Sequence, residues 1–188
     1  MRRINIALVL GLSIFLAVMM SSVVGAVPSA CCDLGDDAEI VQFGELNNAH
    51  IYQKGVKQMN VDVPGHGPYD PCLPYGCATG GNFAEVFQMG YMNKANITQV
   101  GALNYASTFA WGELNDVVIS QNGAVLSAFV GQGGFGNKAR VTQSGALNLA
   151  MIGQCGFGNT AGITQTAVYD TAGILQMGHL NNAQIVQN

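Results

Sequence analysis

The stretch Gln132-Gly-Gly-Phe-Gly-Asn137-Lys-Ala139-Arg-Val-Thr-Gln143 decides the fold, because the chain repeats it in phase. From Asn137 to Gln143, Asn, Ala, Val and Gln fall on alternate positions, with Lys, Arg and Thr between them. Period two with unlike sides describes a β-strand whose two faces meet different surroundings. Ser144-Gly145-Ala146-Leu147 come next as a turn, with glycine where unusual dihedrals are most needed, and Asn148 restarts the phrase. A helix is disfavoured, since a glycine in every unit would break it.

Working outward, glutamine recurs at Gln88, Gln99, Gln121, Gln132, Gln143, Gln154, Gln165, Gln176 and Gln187, and Ala110 alone interrupts the spacing of 11. A fixed period signals stacked repeats. The template places strands at 82–88, 93–99, 104–110, 115–121, 126–132, 137–143, 148–154, 159–165, 170–176 and 181–187. An earlier pair falls at 36–42 and 47–53, and residues 54–81 interrupt the pattern as a looped insertion, with a degenerate strand near 58–63. Two units make a strand–turn–strand–turn coil of 22 residues. Stacked coils place residue i over residue i+22, about 4.8 Å away, and give an all-β solenoid of two facing parallel sheets.

The core is then a set of columns. One sheet stacks Asn93, Asn115, Asn137, Asn159 and Asn181, with Gln99, Gln121, Gln143, Gln165 and Gln187. The other stacks Asn82, Asn104 and Asn148, with Gln88, Gln132, Gln154 and Gln176. A buried amide is costly when unpaired. In a column each NH₂ can donate to the carbonyl of its neighbour. Ala and Ile/Val columns between the amides supply apolar contact.

The outward positions differ between the sheets. One face carries Lys94, Asp116 and Lys138 in alternating sign, with a Thr/Ser column, and is polar. The other carries Phe83, Tyr105 and Leu149 in one column and Phe87, Phe109 and Leu175 in another, with Phe129 and Met151 between. An apolar outer face of this size marks an interaction surface.

The chain opens with Arg2 and Arg3, an apolar run from Ile4 to about Met20, and then small residues. That is the layout of a secretory signal peptide over 1–26, with cleavage after Ala26 or Ala30. Residues 27–35 form a short cysteine-containing segment before the first coil. In an oxidising compartment, Cys31, Cys32, Cys72 and Cys77 are candidates for disulfides of open connectivity, and Cys155 is left over. A zinc site using His66, Cys72 and Cys77 lacks a second ligand pair. Without Arg2 and Arg3, five basic residues face eleven acidic ones, a net charge of −6 that argues against nucleic-acid binding. No nucleophile–base pair or carboxylate cluster stands out: Asp116 and Asp170 fall on different sheets, and His50, His66 and His179 are scattered. The expectation is therefore a non-enzyme with no cofactor, metal or small-molecule substrate.

Gln132 to Gln143 closely resembles the curlin repeat, Gln-x-Gly-x-Gly-Asn-x-Ala-x-x-x-Gln, and Gln154-Cys-Gly-Phe-Gly-Asn159-Thr-Ala161-Gly-Ile-Thr-Gln165 matches it again. Other units keep Gln, Gly, Asn and Ala but replace the second Gly by Leu, as in Gly101-Ala-Leu-Asn104. The looser pattern covers 36–53 and 82–187. The resemblance implies a secreted subunit of curli-like amyloid fibres in the biofilm matrix, exported through an outer-membrane channel and assembled on a surface nucleator. The cysteines and the insertion depart from the usual curlin and leave major and minor subunit roles open. The alternative is a capped, monomeric surface solenoid that acts as an adhesin. The repeat strand that reaches Gln187, one residue before Asn188, favours self-assembly, since an uncapped strand edge templates another copy.

Overall fold

The computed structural model describes residues 36–55 and 81–188. They form twelve strands: β1 (Asp37–Glu45), β2 (Asn48–Gly55), β3 (Phe83–Tyr91), β4 (Lys94–Ala102), β5 (Tyr105–Glu113), β6 (Asp116–Ala124), β7 (Ser127–Phe135), β8 (Lys138–Ala146), β9 (Leu149–Phe157), β10 (Thr160–Gln165), β11 (Thr171–His179) and β12 (Asn182–Gln187). Odd-numbered strands make one six-stranded parallel sheet and even-numbered strands the other. The architecture is the expected β-solenoid of two facing parallel sheets, each coil being one odd and one even strand.

Register keeps the 22-residue offset throughout the main body: Ala84 pairs with Ala106, Ala106 with Ala128, and Ala128 with Ala150. Across the interruption the offset becomes 46, with Gln42 opposite Gln88 and Gln53 opposite Gln99. The first coil thus stacks directly on the second, as if 24 residues of the interruption (46 − 22) were absent from the count. Lys54 and Gly55 belong to β2 rather than to the interruption. The expected signal peptide, the segment 27–35, Cys31, Cys32, Cys72, Cys77, His66 and the degenerate strand expected near 58–63 lie outside the described residues.

Strands are longer than the seven residues expected. Most run nine, beginning one residue later and continuing through the glycine into the expected turn. Coil-to-coil backbone bonding persists around the bend, as in Leu114 N to Tyr91 O at 3.0 Å and Gly136 N to Glu113 O at 2.9 Å. Two left-handed positions make each bend. The first is the glycine two residues after the glutamine, such as Gly90 and Gly134. The second is the residue before the asparagine: Gly136 and Gly158 in two units, but Leu46, Met92, Leu103, Leu114, Val125, Leu147 and Leu180 elsewhere.

The two positions are constrained for different reasons. A Cβ on Gly134 would lie 2.1 Å from the carbonyl oxygen of Gly156, whereas a Cβ on Gly136 would meet nothing within 4 Å. Stacking itself therefore excludes a side chain at the first position. The second bears the left-handed dihedral cost and meets no neighbouring backbone, at Gly158 only the end of the Leu180 side chain, and so it accepts leucine. β10 illustrates the loss of the first glycine. Thr166-Ala167 replaces the Ser144-Gly145 pair, the strand ends at Gln165, and beyond it the stack continues through Thr166 N to Gln187 O at 3.0 Å and an isolated bridge from Ala146 to Val168.

We predict that Gly134→Ala destabilises the solenoid by about 3 kcal/mol or more, because the neighbouring backbone must move. Gly136→Ala should cost about 1 kcal/mol. Thermal unfolding of the two variants checks the order, and equal losses would contradict the crowding argument.

Candidate functional site: the amide columns and the outer faces

The core has apolar columns at its centre and amide columns at its edges. Ala84, Val86, Ala95, Ile97, Val117, Ile119, Ala128, Val130 and their stacked equivalents are buried. Asn82, Gln88, Asn93, Gln99, Asn104, Asn115, Gln121, Gln132, Asn137, Gln143, Asn148, Gln154, Asn159, Gln165 and Gln176 are also buried. Asn181 and Gln187, in the last coil, are half-buried.

The glutamines form a continuous chain on the even-numbered sheet. Nε2 donates to the next Oε1 from Gln53 to Gln99, Gln121, Gln143, Gln165 and Gln187, at 2.8–2.9 Å. The second N–H crosses to the opposite sheet, as from Gln143 Nε2 to Ser127 O at 3.0 Å and from Gln121 Nε2 to Tyr105 O at 3.0 Å. One side chain thus ties coil to coil and sheet to sheet.

The asparagines do different work. Asn93 Oδ1 accepts from both the backbone N–H (3.1 Å) and the side-chain Nδ2 (3.0 Å) of Asn115. Asn137 repeats this on Asn115, Asn159 on Asn137, and Asn181 on Asn159. Each Nδ2 also reaches back across the bend, as from Asn137 to Gly133 O at 3.0 Å and to Gly156 O at 3.2 Å. Asparagine is the residue of choice because its short side chain reaches the bend it must close. The glutamine chain donates toward the C-terminal coil, and the asparagine chain donates toward the N-terminal coil.

Four described positions depart from the columns on the odd-numbered sheet: Asp36 and Asp170 replace asparagine in the outermost described coils, and Leu126 and Ala110 interrupt the interior. Leu126 stands between Asn104 and Asn148, yet Leu126 N still donates to Asn104 Oδ1 at 3.1 Å, and Asn148 Nδ2 finds Ser144 O and Ala167 O. Ala110 stands between Gln88 and Gln132, opposite both.

The outer faces obey the same stacking. Phe83 stacks on Tyr105 with ring centroids 5.2 Å apart, Phe87 on Phe109 at 5.0 Å, and Tyr105 meets Phe129 obliquely at 5.2 Å. These rings and Leu149 are half-buried by their neighbours, while Met151 and Leu175 are exposed. The face becomes acidic toward its N-terminal edge, where Asp37 and Glu39 occupy the columns of Phe83 and Glu85. A second apolar feature was not foreseen from the sequence. Leu103, Val125, Leu147 and Tyr169 hold the left-handed bend positions of one edge, all exposed. The signal was the leucine replacing the second glycine of the repeat. Opposite, Lys94 pairs with Asp116 and Asp116 with Lys138 in register, so charge alternates up the polar face.

Residues 112–145 and 137–166 match the Curlin associated repeat. The matched residues, 112–166, carry curlin repeats. The matched curlin segment begins at the C-terminal end of β5 and ends just beyond β10, and it holds both units with glycine at each left-handed position, Gly134–Gly136 and Gly156–Gly158. The other units, within the segment and outside it, keep the 22-residue register and replace that second glycine. No curated protein and no solved structure matches the chain. Curlin repeats on a β-solenoid point to a structural rather than an enzymatic chain. Among the described residues there is no cluster of three metal-ligating groups, and no helix long and apolar enough to cross a membrane.

Gln143→Leu should cost roughly 1–3 kcal/mol for each amide group left unpaired at Gln121, Gln165 or Ser127. Thr142→Leu, on the outer side of the same strand, should stay within about 0.5 kcal/mol. Denaturant unfolding of both variants is the check; similar losses would place Gln143 outside the cooperative core.

Proposed function

We propose that this chain is a secreted subunit of a curli-like amyloid fibre of the extracellular biofilm matrix, growing by end-to-end stacking of solenoids. One observation carries the reading: the outermost described coils present the same columns at both ends. Placing β1–β2 of one copy on β11–β12 of another continues the register by one more coil. Gln42 then faces Gln176, Gln53 faces Gln187, and Asn47 faces Asn181. The apolar columns also continue, Ile40 onto Ile174 and Ile51 onto Ile185. Ile40 is 46% exposed, whereas its interior equivalents Val86 and Val130 are fully buried. A second copy would bury it.

Backbone groups are arranged for the same contact. Thr160 N donates to Asn181 O at 2.8 Å and Thr166 N to Gln187 O at 3.0 Å, with Thr160 opposite Asn182. The alternation of a parallel ladder then directs Ala183, Ile185 and Gln187 toward β10, and turns the N–H and C=O of Asn182, Gln184 and Val186 outward. Such an edge pairs with another strand. Export through an outer-membrane channel and nucleation at the cell surface belong to this reading through the curlin resemblance. The capped monomeric adhesin is the competing outcome.

Soluble protein should convert to fibres after a lag, with reflections near about 4.8 Å and about 10 Å. Micromolar protein that stays monomeric, and ignores seeds, would favour the adhesin. Val186→Pro removes an outward donor while sparing the bonds to β10, so it should block seeded elongation and leave a folded subunit. Undiminished elongation of that variant would exclude growth through β12. One column does not match at the junction, because Asp170 would face Asp36 of the next copy. Like charges about one coil apart repel. Asp170→Asn should therefore speed seeded elongation several-fold, and an unchanged rate would remove Asp170 from the junction.

A further inference from the structure

We propose that the solenoid core holds a buried water site at Ala110, where solvent takes the place of a missing glutamine amide. The site is defined by three polar atoms on neighbouring coils. Gln42 Nε2 donates to Gln88 Oε1, so Gln88 Nε2 is the end that faces Ala110. Gln132 Nε2 donates to Gln154 Oε1 at 2.8 Å and to Asp116 O at 3.2 Å, so its Oε1 turns back toward Ala110. Gln88 Nε2 and Gln132 Oε1 both lack a hydrogen-bond partner, and both side chains are fully buried. The third atom is Thr108 Oγ1, on the same inward face of β5, buried and equally without a partner. Its column is otherwise apolar: Val86, Val130, Ile152 and Ile174.

The two amides cannot close on each other. β3, β5 and β7 are paired over nine residues each, and that backbone register keeps Gln88 and Gln132 two coils apart. A donor and an acceptor therefore flank a place where the side chain ends at Cβ, with an unpartnered hydroxyl two residues away on the same inward face of β5. Such groups are costly to leave unmade. The atoms a glutamine would add beyond Cβ occupy roughly the room of two waters, at about 30 Å³ each. Water that accepts from Gln88 Nε2 and donates to Gln132 Oε1 preserves the direction of the glutamine chain, and Thr108 supplies the third partner a buried water commonly has. The site is uncharged and made of one donor, one acceptor and one hydroxyl, which suits water rather than a metal ion or an anion. The gap at Leu126 makes no such site, because the flanking asparagines find backbone partners.

The test compares Ala110→Gln with Ala110→Leu, residues of similar size, in the full soluble chain before assembly. In the unmodified protein, NMR magnetisation transfer should link long-lived water to the side-chain NH₂ of Gln88. Ala110→Gln should abolish that transfer and raise Tm by at least about 2 °C. Ala110→Leu should abolish it and lower Tm below that of the unmodified protein, since it displaces water without replacing its hydrogen bonds. Absence of the water signal in the unmodified protein would overturn the proposal. So would an Ala110→Leu chain as stable as the unmodified one, or an Ala110→Gln chain that fails to fold, because the site must have room for an amide.

Discussion

Everything in this fold depends on a side-chain amide meeting its own copy one coil away. Glutamine and asparagine each carry two donors and an acceptor with two lone pairs, and only a neighbour of the same kind at a fixed spacing completes them in a dry core. Backbone pairing in a parallel sheet supplies that spacing, about 4.8 Å. Amide chain and backbone ladder therefore enforce the same register. A one-residue slip would send the stacked amides outward and outward residues such as Lys138, Arg140 and Thr142 inward. This is why a chain with few large core residues specifies a single stacking. Its centre is mostly alanine, valine and isoleucine, and the edges of that narrow centre are held by bonds rather than by bulk.

Close stacking imposes a second constraint, on the bends. At Gly90, Gly112 and Gly134 the next coil's carbonyl occupies the place of a Cβ. The second bend position is open to solvent, and there leucine, methionine and even valine adopt left-handed dihedrals. The bend is thus tolerant on the outside and intolerant where coils touch. At Ala167 no described coil is stacked beyond the bend to crowd a Cβ, and there β10 ends at Gln165, with the bridge from Ala146 to Val168 following.

These two constraints explain how much was legible in the sequence. The alternation from Asn137 to Gln143 and the spacing of 11 were sufficient for the strands, the coil and the columns, because each amide position has one structural use. The extent of the strands was not legible. Nothing in Ser144-Gly145-Ala146 distinguishes a turn from a bent strand, and only coil-to-coil backbone bonding decides it. The contrast between the two bend glycines was hidden for the same reason, since it lies in contacts between residues 22 apart. Ala110 was visible as a break in the series, but its consequence was not. That required knowing which end of each flanking amide faces the gap.

The polarity of the amide chains bears on how solenoids could join. Glutamine side chains donate toward β12, and asparagine side chains donate toward β1. The described C-terminal coil therefore presents donors at Gln176 and Gln187 and an acceptor at Asn181. The N-terminal coil presents acceptors at Gln42 and Gln53, and at Asn47 the complementary asparagine amide. Head-to-tail contact pairs each donor with an acceptor. Head-to-head contact sets acceptor against acceptor in the glutamine columns, and tail-to-tail contact sets donor against donor. Each mismatch leaves buried amide groups unmade, at roughly 1–3 kcal/mol apiece. The same hydrogen-bond direction that orders coils within one chain thus favours one relative orientation between chains, and a fibre built this way inherits a single polarity from its side-chain amides.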